Sequence, residues 1–276
     1  MKKSYLVGAF ACLAALAPST TAFAATTEVV TEADVVRQAE NTPPTAPWVL
    51  YTRAGTPPTA GAFVEGPPAP PLGTGSFQST TVTGGEKVTL FNYTHTDETL
   101  ASIDEVAYST YRTAGTGSQL PALNVQIDTN GSALGGFATL VYEPVYNPSK
   151  TVVSNTWQSW TATGSGVWWS TQPINGQCKG ATYDCFRTWA EIVANNPGAA
   201  IGGVGINQGS GNAGLTGATD AFTFDETKYN FESKPQSKED CKQGGFAAYT
   251  VGNPPRPAFK NQGDCVSSFA SGKPKS

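Results

Sequence analysis

The chain has 276 residues, with 21 acidic and 17 basic side chains and a formal net charge of −4 at pH 7. An acidic chain without a basic cluster argues against nucleic acid and anionic membrane surfaces as partners. Only 14% of the residues are charged and 11% are aromatic, while Gly and Pro number 30 and 20. This composition favours short strands joined by turns over a helical protein, and the aromatic content is enough to bury a core.

The N-terminal residues have the pattern of a secretory signal peptide. Lys2 and Lys3 form a positively charged start, an uncharged and mostly apolar run follows over residues 5–17, and Ala22-Phe23-Ala24 matches a small-x-small cleavage site. The apolar run is too short to span a bilayer. We therefore expect a signal peptide over residues 1–24, no transmembrane segment, and a secreted, extracellular mature chain.

Two segments without a regular apolar pattern precede the strand-rich part of the chain. Residues 25–47 read as a polar N-terminal leader, within which the sequence is compatible with a short helix over residues 32–39. Residues 48–75 are dense in Pro and Gly. Because Pro is confined to edge strands, strand starts and bulges, this part can supply only edge strands and loops. Its one short strand candidate is residues 62–66.

From residue 76 onward, alternating apolar and polar residues predict a series of short strands. They cover residues 87–93, 103–112, 123–128, 137–142, 157–161, 167–169, 200–206 and 221–224. Helical spacing over residues 186–194 predicts one short helix. Many short strands with regularly spaced turns are typical of an antiparallel β-sandwich, which we place at residues 48–226. A change in composition separates a small C-terminal module, residues 227–276.

Four cysteines lie beyond the predicted signal peptide: Cys178, Cys185, Cys241 and Cys265. An even number of cysteines in an exported chain indicates two disulfides, for which three connectivities exist. The most economical of them joins neighbours in sequence, so that Cys178–Cys185 and Cys241–Cys265 each close their own segment. A zinc site is the competing interpretation, and the lack of a nearby His and of a Cys-x-x-Cys spacing disfavours it.

Several short stretches resemble those of one domain of exported bacterial proteins. They are Val141-Tyr-Glu-Pro-Val-Tyr146, Trp157-Gln-Ser-Trp160, Trp168-Trp169, Gly203-Val-Gly-Ile-Asn-Gln-Gly209 and Thr219-Asp-Ala-Phe-Thr-Phe224. The resemblance covers about residues 48–226 and is to a domain of actinobacteria and related groups with no established activity. It implies a jelly-roll or concanavalin-like sandwich, similar to many carbohydrate-binding modules. That fold carries lectins, binding modules and hydrolases alike, so the resemblance implies no single activity.

The C-terminal module also resembles a known element. Cys241-Lys-Gln-Gly-Gly-Phe246 and Phe259-Lys-Asn-Gln-Gly-Asp-Cys265-Val266 are similar to a short two-cysteine C-terminal element of exported bacterial proteins. A Pro-rich insert over residues 251–257 separates the two halves here. The resemblance implies a small disulfide-closed module, and no activity follows from it.

No catalytic motif stands out in the sequence. His95 is the only histidine, and no Gly-x-Ser-x-Gly turn accompanies it, so a serine–histidine triad is disfavoured. Glycoside hydrolysis needs only two acids that face each other across a sugar. The acids at predicted strand positions are Asp104, Glu105, Asp128, Glu143, Glu191 and Asp220. Glu143 is the best candidate among them, and a structural role at a strand end is the competing interpretation.

A cluster of tryptophans gives the sharpest functional hypothesis. Adjacent residues of a strand point to opposite faces, so Trp168 and Trp169 can both be core residues only if both faces are covered. An exposed indole stacks on the C–H face of a sugar, and Asn, Gln or Asp bind the hydroxyls. The candidate ligand-binding residues are Trp157, Trp160, Trp168, Trp169, Tyr142, Glu143, Tyr146 and Asn207. Core packing of each individual Trp is the competing interpretation.

The sequence offers weak signals for a metal. Asp128-Thr-Asn130-Gly131 could supply oxygen ligands to Ca²⁺, and Asp220 is a second candidate ligand. The stretch lacks the further acids of a full calcium loop, and Asn-Gly is a hairpin turn signal in its own right. We therefore expect no cofactor.

These observations predict a secreted, monomeric, mainly β protein with a jelly-roll-like sandwich that binds extracellular polysaccharide or cell-wall glycan without turning it over. Two alternatives stay open. A secreted glycan hydrolase would use two carboxylates in one cleft. A cell-surface structural or adhesion protein would use its aromatic residues for the core and a flat surface for contact with protein.

Overall fold

The computed structural model describes residues 26–130, 136–147, 151–235, 237–242, 245–251, 256–257 and 259–269. The predicted signal peptide, residues 1–24, lies outside these ranges. Within them, none of the helices is long and apolar enough to cross a membrane. Strands predominate, with 43% strand against 14% helix.

Seventeen strands lie in the described part of the chain. The first nine are β1 (Thr26–Val30), β2 (Val35–Ala39), β3 (Trp48–Thr52), β4 (Gly61–Glu65), β5 (Gly75–Thr81), β6 (Lys87–Asn92), β7 (Val106–Ala114), β8 (Ala122–Asp128) and β9 (Phe137–Tyr142). The others are β10 (Gln158–Thr161), β11 (Val167–Ser170), β12 (Arg187–Thr188), β13 (Ala200–Gly209), β14 (Leu215–Phe224), β15 (Thr227–Phe231), β16 (Thr250–Val251) and β17 (Arg256–Pro257). The α-helices are α1 (Trp189–Asn195) and α2 (Gln262–Ser268).

Seven strands form the first sheet, in which the ten-residue strand β14 is central. β7 pairs along one side of β14, and two shorter strands share its other side: β5 pairs with residues 215–219 and β15 with residues 222–224. β4, β1 and β10 lie next to β5, β15 and β7. A bulge between Asp220 and Thr223 separates the two halves of β14, and a bulge of this kind bends its strand.

Eight strands form the second sheet, in the order β12-β11-β9-β8-β13-β6-β3-β2. Neighbouring strands are antiparallel in both sheets, apart from the parallel pairs β2–β3 and β1–β15. The chain passes from one sheet to the other eight times, after β1, β3, β5, β6, β7, β9, β10 and β13. The predicted fold class, a mainly β jelly-roll-like sandwich, is confirmed.

The core lies between the inner faces of the two sheets. In β8, Leu123, Val125 and Ile127 are buried on the inner face, because the predicted alternation holds over the whole strand. Large aromatic rings fill the rest of the interior, and Trp160 and Trp168 are the largest fully buried side chains. Such rings bury more apolar area than other side chains and therefore dominate the energetics of a core.

Residues 26–39 are part of the sandwich, although the sequence favours a polar leader and is merely compatible with a short helix over residues 32–39. Only one 3-10 turn forms, and Thr31 and Asp34 close it with a capping box. The chain then enters β2, because the two valines that follow are β-branched and favour a strand. The helix prediction is wrong for this reason. β1 joins the first sheet and β2 the second.

The C-terminal part of the chain is divided between the sandwich and a small module. β15 pairs with β1 and β14, so the sandwich continues to Phe231, past the boundary expected at residue 226. In the module, the rings of Tyr249 and Phe259 are in edge contact, with centroids 6.3 Å apart. Asn261 caps the start of α2, a second helix that the sequence does not predict.

Both predicted disulfides are present. Cys178 and Cys185 close a loop before α1, with Cα atoms 4.9 Å apart. Cys241 and Cys265 join the start of the C-terminal module to α2, with Cα atoms 5.7 Å apart. Both distances lie in the usual range for disulfides. The predicted short helix is α1, and it begins where Thr188 caps its first turn.

Candidate functional site

A groove crosses the outer face of the second sheet. Because side chains alternate along a strand, the residues between those that point into the core face outward here. The groove has a volume of about 230 Å³. Its lining draws on six neighbouring strands or their ends and includes Arg53, Lys87, Asn124, Glu143, Trp169, Thr171 and Asn207.

Strand pairing brings these residues together from distant parts of the chain. Asn124 of β8 is opposite Val141 of β9, and Val141 is opposite Trp169 of β11. On the other side of β8, Ala122 is opposite Asn207 of β13. The lining depends on the register of these four strands, because a slip by one residue would turn each of these side chains to the other face.

Trp169 and Glu143 form a hydrogen-bonded pair on one wall of the groove. The indole Nε1 donates to Oε2 of Glu143 over 2.9 Å. Burial raises the pKa of the Glu143 carboxyl, and the hydrogen bond from Trp169 partly opposes this shift. The bond fixes the indole ring, which stays half-buried. The pair presents an aromatic surface beside a carboxyl group to the groove.

Asn124 supplies a polar atom that no described group satisfies. Its side chain is 8% exposed, and its Oδ1 atom accepts no hydrogen bond from the described residues. Buried side-chain polar atoms nearly always have a partner, and leaving one unpaired costs about 1–3 kcal/mol. The oxygen itself is out of contact with solvent, so a bound hydroxyl group can reach it only if the amide turns toward the groove.

Asn207 is held in place by two hydrogen bonds. Its Oδ1 accepts from Oγ1 of Thr89 over 3.1 Å, and its Nδ2 donates to the carbonyl oxygen of Gly209 over 3.1 Å. An amide nitrogen carries two hydrogens, so Nδ2 keeps a second donor for a ligand. The amide is therefore oriented before any ligand arrives.

The end of the groove away from Trp169 carries a group of three charges. Glu40 accepts from Nε of Arg53 and from Nζ of Lys87, each over 2.7 Å. Arg53 first, and Lys87 with it, lower the pKa of Glu40 to about 2 against the opposing effect of burial. The side chain of Glu40 is 21% exposed, against 37% for Arg53 and 25% for Lys87. The two cations therefore face solvent more than the carboxylate does.

Three of the predicted ligand-binding residues are core residues and are excluded from the site. Trp160, Trp168 and Tyr142 are buried. Both indoles donate inside the protein, Trp160 to Oγ1 of Thr110 and Trp168 to the carbonyl oxygen of Ala162, each over 2.8 Å. The alternation of their strands turns all three rings to the inner face, where no sugar can stack on them. Core packing is the correct interpretation for these residues.

Trp157 and Tyr146 lie outside the groove lining. Trp157 precedes β10 of the first sheet, is half-buried, and packs against Tyr111 with ring centroids 5.5 Å apart. Tyr146 is exposed and contacts Phe186, with ring centroids 5.1 Å apart. The structure thus brings three of the eight predicted ligand-binding residues into one site.

The ring of His95 is held by contacts within the protein. Its Nδ1 lies 3.2 Å from each carboxylate oxygen of Glu98, and its Nε2 lies 2.9 Å from the hydroxyl oxygen of Tyr229. The ring also packs against Phe224, with centroids 4.8 Å apart. A catalytic histidine of a triad needs a nucleophile at one ring nitrogen. Both nitrogens of His95 are engaged by other groups.

The side chain of Asp128, the candidate calcium ligand, stabilises the turn that follows β8. Its Oδ1 accepts from the backbone N–H of Asn130 over 2.8 Å, a usual role of Asp in turns. The next residue, Gly131, lies outside the described residues. In the part of the chain that the structure describes, no three or more His, Cys, Asp or Glu side chains are placed to hold a metal ion.

Asp220, the second candidate ligand, belongs to a fully buried acidic pair with Glu232. Asp220 accepts from the backbone N–H groups of Leu72 over 2.8 Å and Phe231 over 3.1 Å, and Glu232 accepts from that of Thr74 over 3.0 Å. Burial raises the pKa of Asp220 to about 6 and that of Glu232 to about 7, and the negative charge of Asp220 adds to the shift of Glu232. The pair fastens the loop between β4 and β5 to the sandwich.

Sequence reasoning misses Asn124, Lys87 and Arg53. Asn124 carries a usable signal, since the polar residues of a strictly alternating strand share one outward face. A polar outer face is also the usual state of an antiparallel sheet, so the alternation alone indicates no site. Lys87 begins β6 and Arg53 follows β3, and only the pairing of these strands brings both cations to Glu40.

Comparison with known proteins assigns no family. A scan against protein-family models, a search of curated proteins and a search of solved structures found no match. The function is therefore inferred from the groove itself.

Proposed function

We propose that this chain is an exported carbohydrate-binding protein that holds extracellular polysaccharide or cell-wall glycan in the groove without turning it over. The observation that carries the proposal is the half-buried indole of Trp169, which its hydrogen bond to Glu143 fixes in the lining of the groove. A sugar offers an apolar C–H face to an indole and hydroxyl groups to polar atoms. The signal-peptide pattern and the two disulfides, which suit an oxidising compartment, support export.

The groove offers complementary partners on neighbouring strands. Trp169 provides the aromatic surface, and Glu143, whose pKa is raised by burial, provides a carboxyl group beside it. Asn124 provides an acceptor and Asn207 a donor. Because neighbouring strands are about 5 Å apart and Asn207 lies three strands from Trp169, a ring stacked on Trp169 can reach Glu143, and a following unit of the same chain can reach Asn207.

The volume of the groove suits one sugar unit of a longer chain. At about 230 Å³ it is smaller than a pocket for a drug-sized ligand, which typically measures about 300–1,000 Å³. It is also open on the sheet surface, so neighbouring units can extend along the sheet. This geometry favours a polysaccharide over a free metabolite that would need enclosure.

The hydrolase alternative requires a second carboxyl group. Glycosidases place two carboxyl groups about 5–10 Å apart across the sugar. Among the described residues that line the groove, Glu143 alone carries a carboxyl group. Glu40, in the charged group beyond Lys87, is held by two cations and keeps its charge. The groove therefore favours binding over hydrolysis.

Trp169→Ala is expected to weaken glycan binding by about tenfold or more, because loss of a well-packed aromatic anchor typically costs over 1 kcal/mol. Binding of the oxidised mature chain to a broad glycan panel is measured by array and then by calorimetry. Tyr183→Ala is the matched control, since Tyr183 is 91% exposed and lies outside the groove lining. The control variant is expected to bind as tightly as the unaltered chain.

Asn124→Leu is expected to separate binding from stability. The substitution removes an unpaired polar group and keeps a similar volume, so the free energy of unfolding should stay equal or rise by about 1 kcal/mol. Glycan affinity should fall, because a ligand hydroxyl loses its acceptor. Urea unfolding and calorimetry on the same samples measure both effects. A large loss of stability with unchanged affinity would give Asn124 a structural role instead.

The panel experiment also decides between the three functional classes. Binding without release of sugar supports the proposal. Release of reducing sugar from any glycan would assign a hydrolase and make Glu143 the first residue to replace. No binding to any member of the panel would contradict the proposal and leave a structural or adhesion role.

A further inference from the structure

A second cavity, of about 420 Å³, lies beyond Lys87 at the edge of the second sheet. It is lined by residues 39–41 and 52–56, and Arg53 lines both this cavity and the groove. Together they lead from Trp169 on β11 to the end of β2, across seven neighbouring strands. With about 4.8 Å between strands, the path is about 29 Å long. Such a length fits a polymer of several units.

The part of this path around Lys87 and Arg53 is positively charged, although the chain as a whole has a net charge of −4. The two cations share one carboxylate, that of Glu40, and the group keeps one positive charge in excess. An ammonium group has three donors, of which Glu40 accepts one. Lys87 can therefore donate to a ligand without losing its contact with Glu40.

We propose that the ligand is an acidic polysaccharide, in which a uronic-acid carboxylate binds Lys87 while another ring of the same chain stacks on Trp169. This inference rests on the proposed function and adds the substrate class to it. A carboxylate gains a charge-assisted hydrogen bond at Lys87 that a neutral sugar cannot make. The net negative charge of the protein repels a polyanion at long range, so the local contact at Lys87 has to outweigh this repulsion.

The test compares an oligogalacturonate with its fully methyl-esterified form, which has the same sugar chain without the charge. Calorimetry with the oxidised mature chain is expected to show about tenfold or tighter binding of the acid, the usual effect of one charge-assisted hydrogen bond. The preference is expected to shrink as the salt concentration rises, because screening weakens the contact with a partly exposed ammonium group.

Three lysine variants test whether Lys87 causes the preference for the acid over the methyl ester. Lys87→Met removes the charge and keeps the aliphatic stem, so the acid and the ester are expected to bind equally. Lys87→Arg keeps the charge and is expected to keep the preference. Lys242→Met, at an exposed lysine of the C-terminal module that pairs with Glu239, is the matched control and should change neither affinity. Circular dichroism verifies that each variant is folded.

The outcomes separate this inference from the proposed function. Equal binding of acid and ester, or an unchanged preference in Lys87→Met, overturns the acidic ligand and leaves glycan binding in place. Tighter binding of poly(glycerol phosphate) than of the oligogalacturonate overturns the assignment to a carboxylate. If the chain binds neutral glycans and does not bind the oligogalacturonate, the acidic ligand is likewise overturned. If none of the glycans binds, the proposed function itself is contradicted.

Discussion

Replacing Trp168 by alanine is expected to lower the free energy of unfolding by about 3–5 kcal/mol. The ring is fully buried and lies between Tyr142 and Trp189, with centroid distances of 5.5 and 5.2 Å. Its removal leaves a large cavity and takes the indole donor away from the carbonyl oxygen of Ala162. Urea unfolding followed by far-ultraviolet circular dichroism measures the loss without relying on Trp fluorescence.

Trp169→Ala is the matched control for this change, because the next residue of β11 points to the opposite face. It removes a half-buried ring and one hydrogen bond to Glu143, so the expected cost is about 1–2 kcal/mol. Of the two variants, only Trp169→Ala is expected to lose glycan binding while it remains folded. Equal losses of stability in the two variants would contradict the placement of the two rings on opposite faces.

The sandwich is expected to become less stable as the pH rises from 5 to 8, because of Asp220 and Glu232. Burial raises their pKa values from 3.8 to about 6 and from 4.5 to about 7, so the folded state keeps protons that the unfolded state has lost. The stabilising contribution is complete below about pH 4 and is lost as the pH rises through 6 and 7. The two groups together should lower the free energy of unfolding by roughly 3 kcal/mol over this range.

The slope of stability against pH, rather than stability at one pH, is the measurement that tests the acidic pair. Asp220→Asn and Glu232→Gln each remove one titrating group and should flatten the slope between pH 5 and 8, whatever their effect on absolute stability. Asp184→Asn removes an exposed carboxyl and is expected to keep the slope. Equal slopes in all three variants and the unaltered chain would show that the pair does not cause the dependence.

The sequence predicts the sheets better than the strand partners. Alternation in β8 places the core residues Leu123, Val125 and Ile127 correctly, because one face of the strand packs against the core. The disulfides are predictable for the same local reason, since each joins cysteines close in sequence. The N-terminal strand β2 is harder to predict, because none of its five residues is fully buried and pairing with β3 stabilises it.

The candidate site is predictable only in part. Trp169 can be selected from the four clustered tryptophans by its position next to Trp168, but alternation alone does not say which of the two faces the core. Glu143 is found as an acid at a strand end and Asn207 as a polar residue suited to sugar hydroxyls, whereas the cations of the groove are not found at all. Their role depends on Glu40, a residue brought beside them by the pairing of β2, β3 and β6. Contacts of this kind arise from tertiary structure and leave no local pattern.

The parallel pairing of β1 with β15 sets the order in which the sandwich can be completed. Thr26 is opposite Thr227, so nearly all of the sandwich lies between the two partners. The entropy of closing so long a loop has to be lost before the contact forms, and domains built on distant contacts fold slowly. During synthesis the first strand is made long before its partner. For an exported chain, this delay would leave the edge of the first sheet open until almost the whole sequence has emerged on the far side of the membrane.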